Sequence, residues 1–587
     1  MKKMIFFNWC SLACAAVFSF LNISFHFDVS ILAFPLSLCF TALMAYYSQV
    51  RLIKQENPGF IPIVRKIIQY EPYAYIAVFI LRRAGNTETP FLLDFVTVIF
   101  WLGLTVSSFF LQYYFSDKRV YSLTPQWSEF RKSYRKPELN FVQKIFKEAL
   151  EWIDALLQAV FMVTLIQIFF FQLYQIPSES MVPEFLIKDR VVVGKTASGP
   201  RFPLSDVGFP CIRNYKRGNI VVFRNPHYII DRKSEIKTFF SQLVYMLSFT
   251  TINLNVDENG NIKADPLVKR IAGVPGEQLV MQDGILYART KDSPDFKPVD
   301  YDSQKAAWNL NLMDRSIKEK IEYLPLDQAA YDSMIECERL RRELDFAETA
   351  QACKAVASAF SAYAQSASGS KSMDSKSAEK LFTESELFEY RLFSQNIAVT
   401  QKLLTADGGA AWFSNFMTDW ISSAEHSGDS FTGSDMYSEA NFRLNLMIKL
   451  TFGSLVLRNA ELIFSDIPAE EKQNDSRRME YFKTAEMLNS YIMLLDRRNM
   501  PVFPANKADG SASYIPANCY FMMGDNRFNS LDMRHSYDEK LVPLTKMDRY
   551  SVTYYSNIAP QVVNKKYILG TTSFRFWPLS RVGMLRP

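Results

Sequence analysis

Three short segments carry residues whose chemistry could build a hydrolytic site. The first, Gln175 to Pro183, places a serine on each side of Glu179 and has a proline near each end. In the second, Val268 to Glu277, Lys269 stands among apolar residues ahead of a Gly-Val-Pro-Gly turn. The third, Gly524 to Arg534, is a turn-rich loop with an Asp–Arg pair. Taken singly, each is also typical of a linker, a strand end or a surface loop.

Serine and lysine can act together as nucleophile and proton acceptor, but the residue types alone leave the reaction open. A serine hydroxyl is a weak nucleophile near neutral pH and needs a proton acceptor beside it. A lysine amine can accept that proton only when it is neutral, which requires desolvation to lower its pKa from about 10.4. The chain has only four histidines, so a Ser-His-Asp arrangement is hard to assemble.

Composition excludes several other classes of protein. The 587 residues carry a net charge of +5, with 66 basic residues against 61 acidic ones, which is too balanced to indicate a nucleic-acid partner. Seven cysteines without a CxxC pair argue against a zinc site and against a disulfide scaffold. The histidines show no metal-ligand spacing. We therefore expect no metal and no cofactor.

Residues 1–175 are predicted to form a membrane domain. The runs 5–27, 29–50, 95–115 and 155–174 carry no Asp, Glu, Lys or Arg. Each is close to the length that crosses a hydrocarbon core of about 30 Å as a helix. The first run could also be a cleaved signal peptide, but a second apolar run follows so closely that a helical hairpin is the better interpretation.

The basic residues predict the orientation. The loop 116–148 has eight Lys or Arg against four acids and is the best cytoplasmic loop of the chain. Four crossings from a cytoplasmic N-terminus would place that loop outside, so we expect a fifth; a re-entrant segment or an uninserted first hairpin is the alternative. The predicted segments are 5–27, 29–50, 67–81, 91–115 and 152–175.

After residue 175 the periodicity changes twice. Residues 176–299 and 501–587 are predicted to form a β-rich catalytic domain, with a hairpin at Val280 to Tyr287 on an Asp-Gly turn. Residues 300–500 form a helical insertion domain, which we expect to fold separately and to be dispensable for the chemistry. A Ser/Lys-rich patch at 365–378 predicts a mobile loop. One helical face of the insertion contains Tyr481, Ala485, Leu488, Ile492 and Leu495.

The three segments, in this order behind a membrane anchor, resemble the bacterial type I signal peptidases (leader peptidases), membrane serine proteases with a Ser–Lys dyad. The resemblance implies a mainly β catalytic core, antiparallel and coiled or barrel-like, with an α-helical insertion and an N-terminal α-helical membrane domain. The multi-span N-terminus and the insertion lie outside it. The motifs that carry it are QIPSESM (175–181), RGNIVVFRNP (217–226), VKRIAGVPGE (268–277), YFMMGDNRFNSLDMR (520–534) and YILGTTSFRFWPLSRVG (567–583).

The resemblance also implies roles for individual residues. Ser180 corresponds to the nucleophile and Lys269 to the general base. Ser178 corresponds to the oxyanion-hole side chain, and Ser530 to the hydroxyl that orients the lysine. Three further residues correspond to supporting residues of the site, namely Arg270, Asp532 and Arg534. Four others correspond to the lining of a shallow apolar substrate pocket, namely Ile176, Pro177, Met181 and Val268.

Three positions depart from the commoner family pattern. Glu179 stands where many members have a small residue, Met533 where a serine is usual, and Asn219 where an aspartate is frequent. None of them removes a proposed catalytic group, but Glu179 puts a carboxylate close to the nucleophile. The alternative is therefore a catalytically inactive peptidase-like membrane scaffold whose insertion binds a partner protein. A transporter-like protein is the weakest interpretation, because the predicted spans contain almost no charged residues.

The function expected from the resemblance is that of signal peptidase I. Such an enzyme removes N-terminal signal peptides from exported preproteins after a small-x-small motif. We expect preprotein signal peptides, the lipid bilayer and the secretion machinery as partners, and no nucleic acid. The expected location is the bacterial cytoplasmic (inner) membrane, multi-pass, with the catalytic domain on the outer (periplasmic) side.

Overall fold

The computed structural model describes most of the chain. The described residues are 1–116, 118–134, 140–228, 231–247, 252, 254–256, 263–302, 313–322, 326–368, 381–422, 426–427, 430–431 and 435–585. Of the predicted mobile loop at 365–378, residues 369–378 lie outside them.

The N-terminal part is helical. A π-helical stretch, Tyr46–Lys54, continues the second helix. The helices are α1 (Lys2–Leu21), α2 (Ala33–Ala45), α3 (Ile61–Arg83), α4 (Phe91–Tyr114), α5 (Pro125–Ser133) and α6 (Phe141–Phe169).

Four helical stretches of the described residues are long and apolar enough to cross a membrane. They are Lys2–Leu21, Val29–Lys54, Phe91–Tyr114 and Phe141–Phe169. The predicted fifth crossing, 67–81, lies inside α3, which is not one of these four stretches. This helix contains Pro72 in its interior, and its buried Glu71 accepts hydrogen bonds from Ser11 and Ser108. The number of crossings therefore stays a prediction.

The helix bundle also contacts a segment that follows it in the chain. Phe202, between β2 and β3 below, packs edge to face on Trp101 of α4, with ring centroids 5.5 Å apart. Ser205 Oγ donates to Asp94 Oδ2 at 2.6 Å. Asp94 is also paired with the buried Arg83 of α3, with Nη2 and Oδ1 2.7 Å apart. Packing and polar contacts thus join this segment to α4 and, through the Asp94–Arg83 pair, to α3.

A curled antiparallel sheet forms the centre of the remaining chain, which confirms the predicted fold class. Its strand order is β1-β2-β15-β3-β4-β11-β14, with β16 paired to β15. The strands are β1 (Phe171–Gln175), β2 (Arg190–Gly194), β3 (Ile220–Phe223), β4 (Leu267–Gly273), β11 (Cys519–Met523), β14 (Val563–Asn564), β15 (Ile568–Trp577) and β16 (Gly583–Met584).

Smaller sheets flank this one. A four-stranded sheet has the order β10-β5-β6-β7, and two two-stranded ribbons are β12-β13 and β8-β9. The strands are β5 (Glu277–Gln282), β6 (Ile285–Thr290), β7 (Lys297–Pro298), β8 (His426–Ser427), β9 (Ser430–Phe431), β10 (Met500–Phe503), β12 (His535–Pro543) and β13 (Thr553–Ile558). The hairpin predicted at Val280 to Tyr287 is confirmed by the pairing of β5 with β6. Its turn residues, Asp283 and Gly284, both have positive φ, as a two-residue hairpin turn requires.

Helices occupy most of the described part of 300–500. The predicted helical face is confirmed in α16, where Ala485, Leu488 and Ile492 are buried. Helix α7 (Arg232–Leu247) precedes this region. The helices described within 300–500 are α8 (Arg315–Lys318), α9 (Gln328–Glu343), α10 (Phe346–Ser368), α11 (Glu389–Ser394), α12 (Asn396–Thr405), α13 (Gly409–Thr418), α14 (Met436–Ile463), α15 (Ala469–Gln473), α16 (Ser476–Ile492) and α17 (Leu495–Arg498).

One apolar core joins the helical insertion to the β-rich part. Trp412 and Leu488 of the insertion belong to the same cluster of buried side chains as Val182, Phe528 and Val552. This differs from the expectation that the insertion folds separately, because both parts are needed to remove these side chains from water. The boundaries at 300 and 500 stay predictions.

The turn of the β5-β6 hairpin rests on the last helix of the insertion, and this gives a test of the interface. Gly284 has φ +78°, and a Cβ there would collide with the Arg498 guanidinium. We expect Gly284→Ala to lower the free energy of unfolding by about 1–3 kcal/mol, since strain and collision add. Thermal unfolding in detergent, followed by circular dichroism, measures it.

The control is Gly510→Ala. Gly510 has φ +81° but open space where a Cβ would lie, so only the backbone strain remains. Equal shifts in the two variants would contradict the packing of the hairpin on Arg498.

Candidate active site

Ser180 lies in a tight turn directly after the first strand of the sheet. The turn begins at Ile176, whose N–H donates to Asp189 O at 2.8 Å, and the Lys188 N–H donates back to Ile176 O at 2.9 Å. The Asn526 N–H donates to Ser180 O at 3.2 Å. The first and third motifs are thus bonded through the main chain, and the Ser180 side chain is left half-buried.

Lys269 comes to the same place from the middle of the sheet. Strand β4 lies between β3 and β11, with Lys269 opposite Val221 and Ile271 opposite Met522. The Lys269 side chain is 3% exposed, and its Nζ lies 2.6 Å from Ser180 Oγ. The structure therefore brings together the two residues that the sequence singled out.

Burial decides the protonation chemistry of this lysine. Removal from water disfavours the ammonium form and lowers the pKa of Lys269 to about 8. The charged groups that act on it are Asp532 and Asp525, which raise its pKa, and Arg534, which lowers it. A neutral amine is therefore accessible near neutral pH, which an exposed lysine does not offer.

Asp532 and Arg534, to which the resemblance gives a supporting role, form a buried ion pair. Arg534 Nε lies 2.8 Å from Asp532 Oδ1, and both side chains are fully buried. Although burial raises the pKa of Asp532, the Arg534 guanidinium and the Gly524 N–H bring it below its usual range. Asp532 Oδ2 accepts the Gly524 N–H at 2.8 Å, so the pair also shapes the loop opposite Ser180.

Arg270 points away from Lys269 and supports the site from the other side of β4. Its Nε and Nη2 donate to the two oxygens of Asp525 at 2.7 and 2.6 Å. Its Nη1 donates to Gly218 O at 2.9 Å. Asp525 was not among the predicted residues, although its place next to Gly524 in the third motif was the available signal.

The two other predicted serines differ in their surroundings. Ser178 is exposed and donates to Ser180 Oγ at 3.4 Å. Ser530 is buried, but its hydroxyl makes no hydrogen bond with Lys269 or with any other described residue. It lies instead against Gly524, where an added Cβ would collide with Ser530 Oγ. Among the described residues no hydrogen bond links Ser530 to Lys269, and the orienting role of Ser530 stays a prediction.

Three of the four predicted pocket residues share one apolar cluster. Ile176 and Met181 are buried in it, and Val268 packs against it. Pro177 is exposed and does not belong to the cluster. The cluster lies where the Ser180 turn meets β4, so it is continuous with the Ser–Lys pair.

The three departures from the family pattern have structural accounts. Glu179 is buried, and its Oε1 accepts the Glu322 N–H at 2.6 Å. Met533 fills the core beneath β11. Asn219 Oδ1 accepts the Lys216 N–H at 3.1 Å in the turn before β3. None of these contacts disturbs the distance between Ser180 and Lys269.

The fold and the site together define a protein with apolar, membrane-type helices and a β-rich unit that holds a Ser–Lys pair. A family model described as "Signal peptidase, peptidase S26" matches residues 149–379 and 456–577. This is more than half of the chain, and the chain belongs to this family.

Curated relatives agree with the family. Signal peptidase I of Pseudomonas aeruginosa is 28% identical over 162 residues, which are 27% of this chain and 55% of the relative. Signal peptidase I of Haemophilus influenzae is 23% identical over 203 residues, 34% of this chain and 55% of the relative. That of Buchnera aphidicola subsp. Baizongia pistaciae is 31% identical over 123 residues, 20% of this chain and 40% of the relative. The chain spans about half the length of the first two.

Loss of one member of the buried ion pair tests its electrostatics. Arg534→Met leaves the Asp532 carboxylate buried without its guanidinium, which is expected to lower the free energy of unfolding by about 3–5 kcal/mol. Denaturant unfolding in detergent measures the change. Arg315→Met is the control, because Arg315 pairs with Glu319 on the surface and is 92% exposed. Similar unfolding midpoints for the two variants would contradict the assignment.

Proposed function

We propose that this chain is a membrane-bound serine endopeptidase that removes N-terminal signal peptides from exported preproteins after a small-x-small motif. The observation that carries the proposal is the 2.6 Å contact between Lys269 Nζ and Ser180 Oγ, made by a lysine that is 3% exposed. Family membership supports the same substrate class.

In the proposed mechanism the neutral Lys269 amine takes the Ser180 proton as Oγ attacks the scissile carbonyl carbon. The oxyanion that forms accepts a hydrogen bond from the Ser178 hydroxyl. Lys269 then returns the proton to the leaving amine, and the peptide bond breaks to leave an acyl-enzyme on Ser180. Water, deprotonated by Lys269, hydrolyses this ester and restores the serine.

The apolar cluster beside the pair supports the specificity. In this proposal Ile176, Met181 and Val268, which pack together, form the apolar floor of a shallow substrate site. Alanine-sized side chains fit such a surface, and larger ones are excluded by collision, which is selection against the wrong substrate. Pro177, on the exposed side, contacts the substrate backbone in this proposal.

The proposed location is the bacterial cytoplasmic membrane. The helices of 1–175 cross it, with 116–148 in the cytoplasm, so that everything after Gln175 lies on the outer side. Substrates reach the site from the bilayer and the secretion machinery. An inactive scaffold is not favoured, because Glu179 is directed to the Glu322 amide and leaves the Ser180–Lys269 contact intact.

The nucleophile is tested first. Ser180→Ala is expected to abolish cleavage of a preprotein, since no other group takes over the attack. Ser178→Ala is expected to cleave the preprotein about 100- to 1000-fold more slowly than the wild type, because one oxyanion donor is lost. Cleavage by purified proteins in detergent measures both. Ser511→Ala, in an exposed loop of the same domain, should keep wild-type activity; full activity of Ser180→Ala would refute the proposal.

The base is tested by charge-preserving substitution and by pH. Lys269→Arg is expected to be inactive but folded, because a guanidinium keeps its proton at any usable pH. In the wild type the rate should rise from acid to mildly alkaline pH with an apparent pKa of about 8, as Lys269 loses its proton. Hydrolysis of a small-x-small peptide against pH measures both.

Lys216→Arg is the matched control, since Lys216 is exposed in the turn before β3. It should keep the activity and the pH profile of the wild type. An active Lys269→Arg enzyme would show that the base lies elsewhere.

A further inference from the structure

The helical insertion reaches the catalytic loop through its last helix. In α17, Arg497 Nη1 donates to Ser530 O at 3.3 Å. In return, Arg534 Nη1 donates to Arg497 O at 2.9 Å. A single insertion residue therefore holds the loop at two points, one on each side of Asp532.

The residue before Arg497 fixes this helix to the β-rich part. Asp496 accepts hydrogen bonds from Tyr554 hydroxyl at 3.1 Å, from Ser556 Oγ at 2.7 Å and from the Asn557 N–H at 3.0 Å. Three donors on β13 thus bind one carboxylate. Because Asp496 and Arg497 are adjacent, this anchor sets where the Arg497 side chain meets the loop.

A second contact reaches the nucleophile. Glu179, between Ser178 and Ser180, is 5% exposed, and its Oε1 accepts the Glu322 N–H at 2.6 Å. Glu322 follows helix α8 of the insertion. Val182, two residues after the nucleophile, lies in the apolar core that contains the insertion helices. The turn that carries Ser180 is thus in contact with the insertion on both sides of the nucleophile, through Glu179 and through Val182.

We propose that the insertion is part of the catalytic apparatus, with Arg497 and Glu179 as positioning residues for the base side and the nucleophile side of the Ser–Lys pair. The inference rests on the proposed function. It replaces the expectation that the insertion is dispensable for the chemistry.

Arg497 acts through the ion pair that faces Lys269. Asp532 and Asp525 favour the charged lysine, and Arg534 favours the neutral one. If the loop loses the bond from the Arg497 guanidinium to Ser530 O, only the bond from Arg534 to the main-chain oxygen of residue 497 still holds it, and the Arg534 guanidinium no longer offsets the Asp532 charge at Lys269 as fully. The ammonium form is then stabilised, and the working pKa of the base rises.

The experiment compares Arg497→Met with the wild type in the full-length protein in detergent, using a small-x-small peptide. Arg497→Met keeps an unbranched apolar stem and removes the guanidinium donors. We expect kcat/KM to fall about 10- to 100-fold, as misplacement of a reacting group does, and the acid limb of the pH profile to move to higher pH. Arg497→Lys, which keeps a donor and the charge, should recover part of both. Arg315→Met, on the insertion surface, should match the wild type.

The second arm separates hydrogen bonding from charge at Glu179. Glu179→Gln keeps an oxygen acceptor for the Glu322 N–H and should keep most of the activity. Glu179→Leu has no acceptor and should lose about 10- to 100-fold in kcat/KM. Equal loss in both variants would assign the effect to the charge and overturn the positioning role of Glu179.

Other outcomes are equally decisive. Wild-type kcat/KM and pH profile in Arg497→Met would overturn the role of Arg497. If Arg497→Met does not fold, as judged by circular dichroism, the test passes to Arg497→Gln, whose amide is too short to reach Ser530 O, and wild-type values in that variant would overturn the role as well. Failure of the proposed function is distinguishable, because then the wild type itself shows no cleavage that depends on Ser180.

Discussion

The site depends on keeping one amine, that of Lys269, out of water. An amine in an apolar environment loses its proton readily, and the same desolvation would penalise every unpaired charge nearby. The surrounding charges are accordingly paired: Asp532 with Arg534, and Asp525 with Arg270. Each pair satisfies its own charge, so although ionic groups surround the lysine, desolvation has the largest effect on its pKa and lowers it. Strand β4 makes this possible by directing Lys269 to one face of the sheet and Arg270 to the other.

The need to bury that amine explains why so much of the chain surrounds it. A buried ion pair is costly to form and costly to break, so its atoms must be held in place by further contacts. In this chain the sheet supplies some of them and the helical insertion supplies the rest, through Arg497 and the shared apolar core. The insertion therefore makes contacts with the ion pair that a smaller β-domain would have to make with its own residues.

The features that could be predicted from the sequence are those set by residues near one another in the chain or by recognisable motifs. The hairpin follows from Asp283-Gly284, the buried face of α16 from its helical spacing, and the Ser180–Lys269 pair from motifs whose order resembles a known family. Contacts between distant segments carried no local signal. Glu322 is 143 residues from Glu179, and what joins them is a backbone N–H, which every residue except proline possesses. The position of the Ser530 hydroxyl depends on the path of the chain at Gly524, which composition does not encode.

The contact of Phe202 and Ser205 with the helix bundle has a geometric consequence. A rigid body tied to a support at one point can pivot, but tied at two separate points it loses most of that freedom. The β-rich unit is joined to the bundle once through the chain that links α6 to β1 and again through Trp101 and Asp94. If the helix bundle lies in a bilayer, as proposed, the β-rich unit would keep a fixed position relative to the lipid. Under the proposed function, Ser180 would then stay at one height above the lipid, and only a peptide bond at that height could reach it.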